Sequence, residues 1–261
     1  MTTTTGKPDA LPNGPERGHS AGPDSPHTVG RSRKWWQRPW VAPLAMVSVA
    51  FIAFSLPPYL TLDPSRSRVP QPGNLTFHFP MLVAHVLFGS VALLTCCLQI
   101  WPWFRQRYPT AHRVIGRVYV FGGAVPAGLM ALTVGAVSPF GPMVAVSDVL
   151  GASLWLACTI TGFRMGRARR FAEHRRWMIR SFALTASIIT NRVWGVLWFI
   201  ILSPQLSTTF GGSEVALMQT VSGLSAWLGW VVTLLIAQWW LERGNAARRR
   251  ARASNATSRL V

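Results

Sequence analysis

The segment EHRRWMIR, residues 173–180, is a dense basic patch that leads into an apolar stretch ending at Leu202. This stretch is long enough to cross a membrane as a helix. It nevertheless contains Asn191 and Arg192, although polar and charged side chains are costly inside a bilayer. On a helix, His174 and Arg192 are separated by 18 residues, about five full turns, and therefore share one face. Such a polar face predicts a helix with a role beyond spanning the membrane.

The composition of the whole chain indicates a membrane protein. Its 261 residues are 49% hydrophobic and only 13% charged, whereas a soluble domain carries about 25% charged residues. Apolar runs of about 20 residues recur along the chain, which predicts an all-α, polytopic helical membrane protein. We expect six transmembrane helices, of which helices two to five form a four-helix core.

The apolar runs divide the chain into three parts. Residues 1–38 are rich in Pro, Gly, Thr and Ser, which predicts a disordered cytoplasmic leader. Residues 39–242 are expected to form the six-helix transmembrane domain, and residues 243–261 a basic cytoplasmic tail. The predicted helices cover approximately Trp40–Leu60, Phe79–Trp103, His112–Val137, Met143–Phe163, Trp177–Leu202 and Val215–Leu241.

Positive charge lies on one side of the predicted membrane domain. The net charge of +18 would suggest nucleic-acid binding in a soluble protein, but this chain has no basic soluble domain to do it. Loops 104–117 and 164–176 and both terminal segments are rich in arginine, whereas the other loops hold only Arg66 and Arg68. The positive-inside rule predicts cytoplasmic termini in a bacterial inner membrane, with the basic loops against anionic lipid headgroups.

Titratable side chains in or beside the predicted helices are the candidate site residues. An inner set lies at the cytoplasmic ends of helices three and five: His112, Arg113, Arg117, Glu173, His174 and Arg180. With Arg175 and Arg176, its arginines form a cluster that could bind an anion. An outer set lies deeper, in helices two, four and five: His85, Asp148, Asn191 and Arg192. For Asp148 and Arg192, a structural ion pair is the alternative to a functional site.

Two of the histidines have a glycine one turn further along the same helix face. Gly89 follows His85, and Gly116 follows His112. A flat ligand such as haem needs clearance of this kind beside an axial imidazole, and helical bundles take such ligands from facing helices. Glycine stripes also let membrane helices pack closely without any ligand, so both interpretations stay open.

Three segments resemble one family of bacterial membrane proteins. They are residues 85–89 with Gln99, residues 112–119, and residues 174–180 with Arg192. Together, over about residues 78–200, they resemble the predicted membrane proteins called domain of unknown function 2306. This resemblance implies a fold and a membrane location but no established activity.

The histidines of predicted helices two, three and five are also distantly similar to those of b-type transmembrane cytochromes. That similarity implies an inner pair, His112 and His174, as axial ligands of a haem b iron. An outer pair is incomplete, because helix four offers Asp148 and no histidine opposite His85. Three arginines would offset the haem propionates or an anionic donor: Arg113, Arg175 and Arg180.

Two further hypotheses remain. A small-solute or proton-coupled transporter would use His85, Asp148 and Arg192, with Asn191, as a buried polar relay, although helices two to six show no inverted repeat of broken helices. A non-catalytic membrane scaffold would use the same groups for packing alone. No nucleophile elbow, P-loop or dinucleotide-binding motif is found, so the sequence identifies no enzymatic activity, substrate or protein partner.

Overall fold

In the computed structural model, the structure describes the backbone of residues 40–257 and the side chains of residues 40–244. The predicted leader, residues 1–38, lies outside this range. The described chain is all-helical, and we name its six apolar helices in order. Helices one to six are Val41–Ser55, His78–Ile100, Pro109–Ala136, Pro142–Arg167, Phe171–Leu202 and Glu214–Thr257.

The architecture confirms a polytopic helical membrane protein. Helices two to six are long and apolar enough to cross a membrane. Helix one has only 15 residues, about 22 Å at 1.5 Å per residue, and is shorter than the predicted run to Leu60. It stops at Ser55 because Pro57 and Pro58 have no N–H groups with which to continue its hydrogen bonds. A separate short turn, Pro57–Leu60, follows.

The connections define two ends of the bundle. The basic end carries the short helix Pro102–Arg107 and the turn at residues 168–170. The opposite end carries the segment 56–77, the turn at residues 137–141 and the segment 203–213. Helix six continues to Thr257, so the backbone of the predicted tail is helical at least to that residue. The tail boundary at residue 243 stays a prediction.

Helices two, three, four and five enclose the main buried core. Helix two packs against helix three, three against four, four against five, and five against two. Helix one packs on helix two, and helix six packs along helix five and against helix four. Helix six is therefore a close partner of the predicted four-helix core. The core residues include Ala92, Cys96, Tyr119, Ala127, Trp155, Cys158 and Leu184.

Helix three contains a wide turn at its centre. Residues Val120–Ala124 are π-helical, and the N–H of Val125 donates to the carbonyl oxygen of Val120. The next residue is Pro126, which has no N–H to form the ordinary helical bond. Inside this turn, Gly123 lies directly on helix two: a Cβ there would be 2.9 Å from the Cα of Ala92.

Replacement of Gly123 tests this close helix contact. We expect Gly123→Ala to lower the free energy of unfolding by about 1–3 kcal/mol, because the new methyl group would push against backbone atoms. Gly122→Ala is the matched control, since its Cβ would meet only Val118 Cγ1 at 3.6 Å. Thermal unfolding of both variants in detergent measures the difference. Equal stability of the two variants would contradict the packing.

Candidate functional site

His174 is held against helix four by a backbone hydrogen bond. Its Nδ1 lies 2.7 Å from the carbonyl oxygen of Gly162. Gly162 and Gly166 allow this approach, because a Cβ at Gly166 would be 2.9 Å from His174 Nδ1, and one at Gly162 would be 2.6 Å from Met178 Sδ. The small-x-x-x-small spacing on helix four is a known signal for close helix packing, and the sequence interpretation missed it.

The turn before helix five sets the position of His174. Arg169 has a left-handed backbone with φ of 58°, and the N–H of Arg170 bonds back to the carbonyl oxygen of Met165 at 2.9 Å. This is the pattern of a helix C-terminus that reverses the chain tightly. Arg170 then pairs with Glu173, its Nε donating to Oε1 at 2.8 Å. Glu173, in the first turn of helix five, thus holds the preceding turn.

His112, like His174, lies at the basic end of the bundle. Among the described residues no hydrogen bond joins the two rings, although His174 and Arg105 both act electrostatically on His112. His112 Nδ1 is buried and has no hydrogen-bond partner. Gln99 on helix two donates through Nε2 to the backbone oxygen of His112 at 3.0 Å. Both histidines lie at the basic end of the bundle, and their predicted inner pairing stays a prediction.

The glycines beside the histidines have different surroundings. A Cβ at Gly116 would lie 3.3 Å from Oε1 of Gln99, so the Gln99 side chain fills that space. A Cβ at Gly89 would meet nothing within 4 Å. The predicted clearance beside His112 is thus occupied by a flexible side chain, and that beside His85 is open.

Two of the three arginines predicted to offset the haem propionates contact helix six. Arg180 donates through Nε and Nη2 to Oε1 of Gln238 on helix six, at 3.2 and 2.8 Å. Arg175 lies over the ring of Trp240, 5.1 Å from its centroid. Arg113 donates to Thr110 Oγ1 at 3.3 Å. The predicted role of Arg175 and Arg180 beside the histidine pair must therefore compete with their contacts to helix six.

A buried ring of hydrogen bonds joins helices three, four and five. It lies further from the basic end than the histidines do. Tyr119 Oη lies 2.5 Å from Ser181 Oγ and 2.8 Å from Thr185 Oγ1. Thr159 Oγ1 lies 2.6 Å from Ser181 Oγ. Trp155 Nε1 donates to Thr185 Oγ1 at 3.0 Å. Nothing in the local sequence around Tyr119, Ser181 and Thr185 indicates their partners on helix four.

The hydrogens of this ring can be assigned. Trp155 Nε1–H donates to Thr185, and Thr185 donates to Tyr119 or to the backbone oxygen of Ser181, 2.9 Å away. Tyr119 then donates to Ser181, and Ser181 to Thr159. Thr159 donates to the carbonyl oxygen of Trp155 at 2.7 Å. Every donor is used inside the ring, so this layer is structural.

Removal of the Tyr119 hydroxyl tests the ring. We expect Tyr119→Phe to lower the free energy of unfolding by about 1–3 kcal/mol, because it leaves buried hydroxyl groups without a partner. Tyr108→Phe is the control: Tyr108 is 47% exposed, and we expect a change within about 0.5 kcal/mol. Thermal unfolding in detergent compares the two. A loss no larger than that of the control would show that the ring does not stabilise the fold.

The outer set is dispersed over the bundle. His85 Nδ1 lies 2.9 Å from the carbonyl oxygen of Ala127 on helix three. Asp148 packs against helix three: a Cβ added at Gly135 would lie 2.7 Å from the Cβ of Asp148. Asn191 packs against Gly229 of helix six, with a corresponding distance of 3.0 Å. Arg192 lies in the half of helix five that runs toward the opposite end, and its side chain is exposed.

The structural ion pair considered for Asp148 and Arg192 is not formed. Across residues 40–244, the two ion pairs are Arg66–Asp63 and Arg170–Glu173. Nor does any group of three or more His, Cys, Asp or Glu side chains come together there as a metal site. A haem held by His112 and His174 would need only two such side chains.

Comparison with known families decides the relationship. The model of the family described as "Predicted membrane protein (DUF2306)" matches residues 82–241. The chain belongs to this family. The DUF2306 match begins in helix two and extends through most of helix six, further than the resemblance over residues 78–200. No curated protein and no solved structure matches the chain, and the similarity to b-type cytochromes is not supported.

Proposed function

We propose that this integral membrane protein of the DUF2306 family binds haem b and transfers electrons, and that His112 and His174 would hold the haem. The observation that carries the proposal is the buried Nδ1 of His112, which has no hydrogen-bond partner. His174 lies at the same end of the bundle, where a backbone carbonyl holds its ring.

The state of each ring suits metal ligation. His174 Nδ1–H donates to the Gly162 oxygen, which fixes the tautomer and leaves the Nε2 lone pair available, as in metal-ligating histidines. His112 Nδ1 is buried and unpartnered, a situation that costs about 1–3 kcal/mol and that a group bound at Nδ1 itself would relieve. Each ring can therefore offer one lone pair.

A bound haem b would supply one-electron transfer at this position. The protein would contribute positive charge around it. Arg105 acts on His112, and Arg113 lies one residue further on, so these two arginines are better candidates for propionate partners than Arg175 and Arg180. Gln99 would have to turn away from Gly116 to give a flat ligand space, which its flexible side chain permits.

We further propose a bacterial inner-membrane location with both termini in the cytoplasm. This rests on the asymmetry of charge between the two ends, since arginine flanks the helices at the basic end and is scarce at the opposite end. The histidine pair would then lie at the cytoplasmic face, beside the basic loops that contact anionic lipid headgroups. A reporter fused after residue 261 or at the turn 137–141 measures this orientation.

The transporter hypothesis has weaker support from the geometry. His85, Asp148 and Arg192 contact different partners, and no hydrogen bond or ion pair links any two of them within residues 40–244. A relay would need such a link or a path of water between them. A scaffold role remains compatible with the saturated ring around Tyr119.

An absorption spectrum tests haem binding. We expect protein purified from cells supplied with haem to show a Soret band, because two imidazoles at the basic end would ligate the iron. His112→Ala and His174→Ala should each abolish or strongly shift that band. His85→Ala is the control, because His85 bonds to Ala127 away from the pair, and it should keep the band.

Size-exclusion profiles of all variants must match, so that loss of the band reports loss of ligation and not of folding. Absence of a Soret band in the wild-type protein would refute the proposal. So would a band that survives unchanged in both His112→Ala and His174→Ala.

A further inference from the structure

Asp148 is an acidic side chain without a partner in the part of the chain that the structure describes. Neither of the ion pairs among residues 40–244 includes it, and no side-chain hydrogen bond there reaches its oxygen atoms. It lies six residues inside the apolar helix four, about 9 Å from the start of that helix at 1.5 Å per residue. A carboxylate in such surroundings requires a group that neutralises its charge.

The neighbour of Asp148 is the last turn of helix three. A Cβ added at Gly135 would lie 2.7 Å from the Cβ of Asp148 and 3.5 Å from its carbonyl carbon. Gly135 is the last residue but one of helix three, which ends at Ala136. A helical side chain points back toward the N-terminus of its own helix, and helix four begins at Pro142, just beyond the turn at residues 137–141. The Asp148 side chain therefore points toward the C-terminal end of helix three.

The carbonyl oxygens at that end have lost their usual donors. In a regular helix the N–H groups of Val137 and Ser138 would bond to the carbonyl oxygens of Thr133 and Val134. Both N–H groups donate to the carbonyl oxygen of Gly135 instead, that of Ser138 at 3.2 Å. The carbonyl oxygens of Thr133 and Val134 are therefore left to accept from another group.

A negative charge is unfavourable beside such a helix end. The C-terminal end of a helix carries a partial negative charge, which cations stabilise and anions oppose. The last turn of helix three has no basic residue. The N–H of Phe140, which would suit the carbonyl oxygen of Ala136, bonds to Ser138 Oγ at 3.4 Å. Asp148 thus adds a carboxylate to a helix end whose own carbonyl oxygens lack donors.

We propose that Asp148 and the terminal carbonyl oxygens of helix three bind a monovalent alkali cation, sodium or potassium. Oxygen atoms are the ligands that hard cations prefer, and a single carboxylate balances a single positive charge. Carbonyl oxygens at the C-terminal ends of helices coordinate sodium in other membrane proteins. The site lies at the opposite end of the bundle from the two histidines, and it does not depend on haem binding.

Thermal unfolding in different salts tests the site. The full chain, purified in detergent, is unfolded in sodium, potassium or choline chloride at equal ionic strength and pH, because choline is too large to be held by these oxygen atoms. We expect the midpoint in sodium or potassium chloride to exceed that in choline chloride. It should rise by about 3–6 °C for each tenfold increase of the bound ion above its dissociation constant.

Asp148→Asn separates a cation site from a merely structural role. This variant should lose the difference between the salts. In choline chloride its midpoint should be at least as high as that of the wild-type protein, because the amide is uncharged and can donate to a carbonyl oxygen. Asp63→Asn is the matched control: Asp63 pairs with Arg66 at the same end of the bundle, and the variant should keep the dependence on the alkali cation.

The wild-type series decides the matter even if Asp148→Asn fails to fold. Equal midpoints in all three salts would overturn the proposal. So would a stability that rises only as the pH falls, equally in every salt, since a proton would then neutralise Asp148. A dependence on the alkali cation that persists in folded Asp148→Asn would place the cation elsewhere and would overturn it too.

Discussion

The hydrocarbon core of a bilayer offers no water to polar side chains, and this constraint accounts for the centre of the bundle. Each hydroxyl there finds its partner on another helix or on the backbone. The ring through Tyr119, Ser181 and Thr159 joins helices three, four and five with no donor unused. The same constraint explains why His85 and His174 each bond to a backbone carbonyl of a neighbouring helix.

Such partners are reachable only because small residues bring the helices together. Gly123 lies on the backbone of helix two, and Gly162 and Gly166 receive helix five with His174. Gly229 on helix six does the same for Asn191 of helix five. The same glycines therefore allow both close helix packing and polar pairing. A methyl group at one of these positions would disturb both.

Much of the architecture could be predicted from the sequence, because apolar run length and arginine placement report on the membrane directly. The polar face predicted for helix five between His174 and Arg192 includes Ser181 and Thr185. These two residues do face the core. The contacts that long side chains make could not be predicted. Arg180 bonds to Gln238, which lies 58 residues away on helix six, and nothing local to residues 173–180 indicates that contact. Likewise, an apolar run predicted helix one to Leu60, but two prolines decided its end.

The candidate site was also predictable only in part. Spacing alone placed His112 and His174 at one end of the bundle, because both open helices that run from the arginine-rich side. Their surroundings depend on tertiary contacts: Gln99 covers Gly116, and Gly162 orients His174. The chain of hydroxyl groups in the central ring begins and ends on Trp155. Its hydrogen bonds therefore close on themselves, and among the described residues none of them continues to His174 at one end of helix five or to Arg192 toward the other. The ring ties three helices together at one level of the bundle.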